Sequence, residues 1–190
     1  MPVHSTIDEV IAHMKINLGS AETLTRGLSR QQFNWRPEPG RWSVAECIGH
    51  LNLINGADLK TLEAAVDAAR EKGLTGEGPF QYGFVSRKFV NTMEPPITKK
   101  FKAPKQYVPP PDADIEGTIA EYRRISNELI RVAQKARGLD LRKVKTGLSG
   151  VPIVKMPLGA RLSLLATHDT RHLWQADQVL KSARAAAAGA

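Results

Sequence analysis

The chain has 190 residues, a formal net charge of +8 and a mixture of apolar and charged residues that is typical of a globular protein. This length favours one domain with a single core over two independent domains, so residues 1–190 are interpreted as one domain. The single cysteine, Cys47, excludes an internal disulfide and any zinc site built from several thiolates. A metal site in this chain would have to use His, Asp or Glu side chains.

The start of the chain lacks a basic stretch followed by an uninterrupted apolar run, which argues against a secretory signal. The apolar runs elsewhere are interrupted well before the roughly 20 residues that a bilayer requires. We therefore expect a soluble, cytoplasmic protein with no membrane partner. The positive charge is scattered, its densest cluster being Lys99, Lys100, Lys102 and Lys105. No groove-reading motif accompanies it, so nucleic-acid binding is not favoured.

The first third of the chain predicts two long helices. Apolar residues recur at helical spacing over residues 6–27, which predicts the first helix. Prolines and glycine then predict an irregular connection over residues 28–42. Ser43 followed by Glu46 has the pattern of a capping box, so the second helix is predicted to run over residues 43–72.

The middle of the chain is rich in glycine and proline, which rules out a continuous core helix over residues 73–114. Because an unstructured connection of that length is unusual in a compact domain, we predict a short helix at about residues 80–93 within a covering loop. The apolar residues that favour this helix are Phe80, Phe84, Val85 and Phe89.

Two further long helices are predicted over residues 115–136 and 158–182, with a frayed tail over residues 183–190. The connection over residues 137–157 contains several glycines and prolines and is expected to be irregular, with room for short extended pieces. Together these elements predict an all-α four-helix bundle with a helix-containing insertion between helices 2 and 3.

The last helix carries a pair of histidines on its apolar stripe. On a helical wheel His168 and His172 lie one turn apart beside Leu165, so both imidazoles point into the core, where they can bind one ion. Asp169 lies in the same stripe and can accept the outer N–H of a ligating histidine or approach the ion itself. The alternative is a pair of hydrogen-bonded core residues, because a buried polar group without a partner costs about 1–3 kcal/mol.

The other histidines carry a weaker signal. His50 lies at the edge of the apolar stripe of the second helix, with Glu46 one turn behind it, and is a candidate third ligand. His4 is expected in a frayed terminus and His13 on the polar face or boundary of the first helix. Neither is a predicted ligand.

Several short motifs follow one another along nearly the whole chain, namely Leu28-Ser29, Gln32 to Pro37, Trp42-Ser43, Glu46, His50-Leu51, Gly159, His168-Asp169, Arg171-His172 and Gln175. This order resembles the DinB/YfiT-like superfamily. The resemblance implies a four-helix bundle that holds a divalent metal ion with one histidine from the second helix and two from the last. Carried over to this sequence, the implied ligands are His50, His168 and His172.

The resemblance has further implications around the site. Asp169, Gln175 and Glu46 become candidates for residues that support the ligands. Homodimers are frequent in the superfamily, so Trp174, opposite the metal stripe on the wheel, is a candidate interface residue. A partly exposed aromatic side chain under the covering loop is the alternative interpretation of Trp174.

Three neutral imidazoles leave open positions on an ion, as in catalytic metal sites. Such an ion can lower the pKa of a bound water for hydrolysis or of a thiol for nucleophilic attack. The resemblance favours the thiol, because related proteins include transferases that use bacillithiol, mycothiol or glutathione. The leading hypothesis is a metal-dependent thiol S-transferase, in which the basic insertion near residues 99–105 helps to hold an acidic cosubstrate.

Two other functions stay open at this point. A metal-dependent hydrolase would use Asp169 or Glu46 as the catalytic proton acceptor. A non-catalytic metal-binding bundle would act in stress response through a protein partner. All-imidazole ligation suits zinc first and nickel second, with iron or copper also compatible. The irregular segments 94–112 and 137–157 are expected to shape the pocket.

Overall fold

A computed structural model describes residues 3–97, 101–148 and 151–188. Its helices are α1 (Ile7–Thr25), α2 (Arg30–Asn34), α3 (Val44–Glu71), α4 (Phe84–Asn91), α5 (Ile115–Lys135) and α6 (Leu158–Ala188). A single 3₁₀ turn at Lys105–Tyr107 precedes α5. The four long helices α1, α3, α5 and α6 form the bundle, so the prediction of an all-α fold with a helix-bearing insertion is confirmed.

Side chains that cap the N-terminal end of each helix define where α1, α2 and α3 begin. Ser43 Oγ accepts a hydrogen bond from the Glu46 amide, and the Glu46 carboxylate accepts one from the Ser43 amide, which is the predicted capping box of α3. Thr6 and Glu9 form the same arrangement at the start of α1. A third capping box, at Ser29, begins α2 inside the segment that the sequence predicted to be irregular.

The directions of α3 and α5 explain the long insertion between them. Asn52 near the start of α3 donates to the carbonyl of Thr118 near the start of α5, and Arg70 near the end of α3 donates to the carbonyl of Lys135 at the end of α5. The two helices are therefore parallel. The chain must travel back along the bundle to join them, and residues 72–114 make that return.

Helix α6 runs antiparallel to α3. His50 near the start of α3 lies beside the middle of α6, whereas Asp58, further along α3, forms a buried ion pair with Arg161 near the start of α6. Apolar side chains fill the space between the four helices. The largest of those that are fully buried include Tyr122, Phe33, Ile48, Leu51, Leu62, Ile125 and Leu162.

The connections differ in detail from the prediction. Residues 137–157 contain an antiparallel hairpin of β1 (Lys145–Leu148) and β2 (Val151–Pro157), where only short extended pieces were expected. Helix α4 is shorter than the predicted 80–93, because Phe80 is extended and its amide donates to the carbonyl of Ser5. Helix α6 continues past Ser182, its predicted end, to Ala188.

None of the helices in the described ranges is long and apolar enough to cross a membrane.

The start of α6 packs against the insertion through a glycine. Tyr82 is buried, and its hydroxyl lies where a side chain at Gly159 would begin, so a Cβ at this position would overlap the hydroxyl. The amide of Gly159 also donates to the carbonyl of Leu141, which fixes the helix start. A residue without a Cβ is therefore required where α6 passes Tyr82.

We expect Gly159→Ala to lower the free energy of unfolding by about 1–3 kcal/mol, because the added methyl group overpacks the contact with Tyr82. Urea unfolding followed by circular dichroism measures this change. Gly19→Ala is the matched control, since a Cβ at Gly19 in α1 would meet no atom within 4 Å. The control should stabilise the protein by about 0.5–1 kcal/mol. Equal effects of the two substitutions would contradict the packing argument.

Candidate metal centre

Three histidines from two distant parts of the sequence meet inside the bundle. His50 comes from α3, and His168 and His172 come from α6. One ring nitrogen of each lies within 4.8 Å of those of the other two. The ring centroids of His172 lie 4.6 Å from those of both His50 and His168. The structure thus brings together the three residues that the sequence predicted as ligands.

The three imidazoles are neutral at physiological pH. Burial lowers the pKa of each ring, that of His168 to about 3, and it outweighs the hydrogen bond with Tyr107 that raises the pKa of His50. A positive charge on His50 would lower the pKa of His168 and of His172 further. A metal ion binds the neutral form of imidazole, because the ring nitrogen must offer its lone pair. The environment therefore favours the protonation state that a metal site needs.

The insertion orients His50 through a backbone contact. His50 Nδ1 lies 2.7 Å from the carbonyl oxygen of Tyr107, and because a carbonyl can only accept, Nδ1 carries the proton and donates. The lone pair is then on Nε2. Metal-binding histidines commonly donate their other N–H to a carbonyl in this way. Tyr107 lies in the 3₁₀ turn of the insertion, where the sequence carried no signal for such a role.

A second glycine allows this close approach. A Cβ at Gly49 would lie 2.9 Å from Cβ of Pro109, so the insertion can pack on α3 beside His50 only because Gly49 has no side chain. The insertion therefore contacts α3 at Gly49 as well as at His50.

Two ring nitrogens in the cluster lack an internal partner. Nδ1 of His168 and Nδ1 of His172 are buried and form no hydrogen bond within the described part of the chain. A buried polar group in that condition costs about 1–3 kcal/mol. The residues present fit a bound divalent ion, because three neutral imidazoles each offer a ring nitrogen and these nitrogens all lie within 4.8 Å of one another.

Trp42 closes one side of the cluster. Its ring centroid lies 5.0 Å from that of His50 and 5.6 Å from that of His172. The residue comes directly before the cap of α3, so the same turn that starts the helix positions the indole against the histidines. An apolar ring here reduces the access of water to the imidazoles.

Asp169 forms its hydrogen bonds with residues other than the histidines. Its carboxylate accepts hydrogen bonds from Asn55 Nδ2 at 2.9 Å and from the Tyr122 hydroxyl at 2.8 Å. Burial raises the pKa of Asp169 to about 6, and the two hydrogen bonds oppose that rise. Because Asn55 belongs to α3 and Tyr122 to α5, this network joins three helices at the level of the cluster. Asp169 thus holds α6 in place rather than accepting an imidazole N–H.

Glu46 is also occupied elsewhere. Its two carboxylate oxygens accept hydrogen bonds from Nε and Nη2 of Arg36, at 2.7 and 2.6 Å, in addition to the capping bond from Ser43. This fork-like pairing accounts for the burial of Glu46 without a role at the histidines. The sequence did not predict the pairing of Arg36 with Glu46, because Arg36 lies in the irregular segment before the helix.

The remaining candidate residues differ in their surroundings. Gln175, one turn after His172, raises the pKa of that ring through a side-chain hydrogen bond, and the larger effect of burial lowers it. Trp174 is partly buried on α6. Of the insertion's basic cluster, Lys102 and Lys105 are exposed, whereas Lys99 and Lys100 lie outside the described residues.

The expectations for the two N-terminal histidines were wrong. His13 is buried rather than on a polar face, with Nε2 2.7 Å from the Thr170 hydroxyl and Nδ1 2.8 Å from Nε2 of His4. His4 is therefore anchored to α1 instead of lying in a frayed end. Thr170 of α6 supplies the partner, and a wheel of α1 alone cannot reveal it. Both histidines lie outside the three-histidine cluster.

The four-helix bundle and its three-histidine cluster fit a helical metal-binding protein, and the comparison with protein families agrees. The family model of the DinB superfamily matches residues 17–176. The chain therefore belongs to the DinB superfamily. Neither the search of curated proteins nor the search of solved structures found a match. The family assignment and the cluster of His50, His168 and His172 together fit a protein that binds a divalent metal ion.

We expect Asp169→Ala to lower the free energy of unfolding by about 2 kcal/mol or more, because Asn55 Nδ2 and the Tyr122 hydroxyl lose a buried acceptor. Urea unfolding of metal-free protein measures the change. Asp177→Ala is the control on the same helix, since Asp177 forms a partly exposed ion pair with Lys181 and accepts a hydrogen bond from the neighbouring Gln178. The control should change stability by less than about 1 kcal/mol. The two variants being equally stable would contradict the role given to Asp169.

Proposed function

We propose that this protein is a metal-dependent thiol S-transferase that joins a low-molecular-weight thiol to an electrophile. The observation that carries the proposal is the cluster of three neutral imidazoles, which no fourth His, Cys, Asp or Glu joins within the described ranges. Three protein ligands with an open position are typical of catalytic metal sites, whereas structural zinc sites have four. Zinc is the first candidate for the ion and nickel the second, with iron or copper also compatible.

When bound, a divalent ion at this site would lower the pKa of a thiol and so supply a thiolate at neutral pH. In the overall reaction a carbon–sulfur bond forms, the bond from that carbon to its leaving group breaks, and the thiol proton leaves with that group or to solvent. The chain's part is to hold the three imidazoles neutral and oriented. Tyr107 fixes the tautomer of His50, and Trp42 limits the access of water.

The chain's own thiol is unsuited to this reaction, which supports a thiol cosubstrate. Cys47 is fully buried in α3, and desolvation together with the nearby charge of Glu46 raises the pKa of its thiol well above the usual range. Cys47 thus stays protonated and out of reach of an electrophile. The exposed Lys102 and Lys105 of the insertion supply positive charge that suits an acidic cosubstrate.

The hydrolase alternative has less support. It needs a proton acceptor beside the ion, and the two carboxylates that the sequence offered are engaged elsewhere, Asp169 with Asn55 and Tyr122 and Glu46 with Arg36. A general base must lie within hydrogen-bond reach of the proton that it removes, and the oxygens of both carboxylates already accept hydrogen bonds from these other residues. A thiol is far more acidic than water, so a thiol bound to the ion would lose its proton to solvent at neutral pH without such an acceptor.

We expect zinc-loaded protein to consume a small thiol in the presence of an activated aryl halide, and His172→Ala to reduce that rate to the uncatalysed level. Loss of free thiol and appearance of the aryl thioether provide two independent readouts. His4→Ala is the matched control, because it removes a histidine outside the cluster and should keep at least half of the rate.

A rate in His172→Ala equal to that of the unaltered protein would contradict the proposal. Turnover of esters or amides without any added thiol would point to the hydrolase instead. Bound metal without turnover of either substrate class would favour a metal-binding bundle that acts through a protein partner.

A further inference from the structure

Two connecting segments account for the positive charge of the whole chain. Residues 84–111 of the insertion and residues 141–157 before α6 contain ten of the 27 Lys and Arg residues, but only Glu94 of the 19 Asp and Glu residues. The other residues, with 17 basic and 18 acidic side chains, are nearly neutral as a group. We call the exposed side chains of these two segments the basic face.

The fold places both segments on the side of the bundle formed by α3 and α6. Tyr107 of the insertion lies against His50 of α3, and Val90 of α4 shares one apolar cluster with Met156 of β2 and Ala160 of α6. Strand β1 also contacts both α3 and α6. The two segments therefore cover the helices that carry the histidines, and their charges lie on the same side of the protein.

The protein itself does not neutralise the charges of the basic face. Among its exposed Lys and Arg side chains in the described residues, only Lys143 forms an ion pair, with Asp140. On the side formed by α1 and α5, by contrast, Arg123 pairs with Glu22. The exposed cations of the basic face without an ion pair in the described residues include Arg87, Lys88, Lys102, Lys105, Lys145 and Lys155.

The same face also exposes apolar side chains. Seven large apolar residues are exposed in the described part of the chain, and the five in these two segments are Phe84, Val85, Phe101, Val108 and Val154. Lys88 Nζ lies 5.8 Å from the centroid of the Phe84 ring, so charge and apolar surface adjoin directly. This combination suits the boundary of a lipid bilayer, where apolar side chains enter the headgroup layer and cations attract anionic phosphates.

Nucleic acid, another large polyanion, suits the basic face less well. Proteins that bind single strands place aromatic rings against the bases, and duplexes are read by a helix or β-ribbon in a groove. Three of the five exposed apolar residues are valines, which cannot stack on bases. Burial in a lipid headgroup layer gives both the valines and the phenylalanines an apolar environment.

We propose that the basic face binds the surface of an anionic lipid bilayer, with Phe84 and Val85 of α4 entering the headgroup layer. Such binding needs no helix that spans the membrane. It revises the expectation of no membrane partner, which considered only segments long enough to span a bilayer. The inference does not depend on the proposed thiol-transferase function.

Co-sedimentation of the full chain with vesicles tests the proposal by measuring a partition coefficient. Vesicles of phosphatidylcholine with about 30% phosphatidylglycerol are compared with vesicles of phosphatidylcholine alone, at about 0.1 M salt. We expect at least about tenfold stronger partitioning to the anionic vesicles, because several Lys and Arg residues face the charged surface. Raising the salt to about 0.5 M should weaken this binding severalfold.

Single substitutions in α4 separate the apolar and ionic contributions. Val85 is 80% exposed and Lys88 is also exposed, so neither substitution removes a core contact. Val85→Ser should lower the partition coefficient about threefold, and Lys88→Gln about fivefold. Ile16→Ser and Lys15→Gln are the matched controls on α1, where Ile16 is 65% exposed and Lys15 is exposed. Each control should change the coefficient by less than about twofold, since α1 lies outside the basic face.

Three results would overturn the proposal. The first is no binding to the anionic vesicles at about 0.1 M salt. The second is an equal loss in the α1 and α4 variants, which would indicate attraction by net charge without a defined surface. The third is salt-dependent binding to an oligonucleotide that Val85→Ser leaves unchanged, together with no binding to vesicles, which would assign the basic face to nucleic acid.

Discussion

The parallel arrangement of α3 and α5 is the constraint on which the rest of the structure depends. Two consecutive bundle helices can be parallel only if the chain between them returns along the whole bundle, and residues 72–114 do so. That return passes over α3 and α6 where the three histidines meet. The covering segment therefore supplies hydrogen-bond acceptors to the bundle, namely the carbonyl of Tyr107 for His50 and that of Thr92 for Arg171.

Several buried polar groups around the site are paired across helices, whereas two nitrogens of the cluster are among the buried polar atoms that have no hydrogen-bond partner in the described residues. Arg161 pairs with Asp58, and Asp169 accepts from both Asn55 and Tyr122, so these groups tie α6 to its neighbours. Each pair recovers part of the free energy lost when charge leaves water. Nδ1 of His168 and Nδ1 of His172 receive no such compensation in the described residues. Coordination of a metal ion would offset the free-energy cost of burying those imidazoles.

The sequence predicted the features that depend on local patterns. The four long helices follow from apolar periodicity, the start of α3 follows from its capping box, and the pair His168 and His172 follows from one-turn spacing on an apolar stripe. The third ligand, His50, was only a weak candidate on its own and became a strong one through the resemblance to a family. The structure brings all three together.

The features that the sequence did not predict depend on contacts between distant segments. The partner of Glu46 is Arg36 in an irregular connection, and the partner of His13 is Thr170 on another helix. Neither pairing follows from the helical wheel of one element. The sequence did not predict the hydrogen bond from His50 to Tyr107 either, because that bond depends on the path that the insertion takes over the bundle. The sequence therefore identifies polar residues on the apolar faces of helices, but it does not identify their hydrogen-bond or ion-pair partners on other segments.

The central claim is that His50, His168 and His172 hold one metal ion, and elemental analysis tests it most directly. Protein purified without an affinity tag or added metal is compared with His50→Ala, His168→Ala and His172→Ala, and with His4→Ala as a folded control. We predict close to one divalent ion per chain in the unaltered protein and in His4→Ala, and its loss in each of the other three variants. A folded, unaltered protein that contains no metal and takes up neither zinc nor nickel would contradict it.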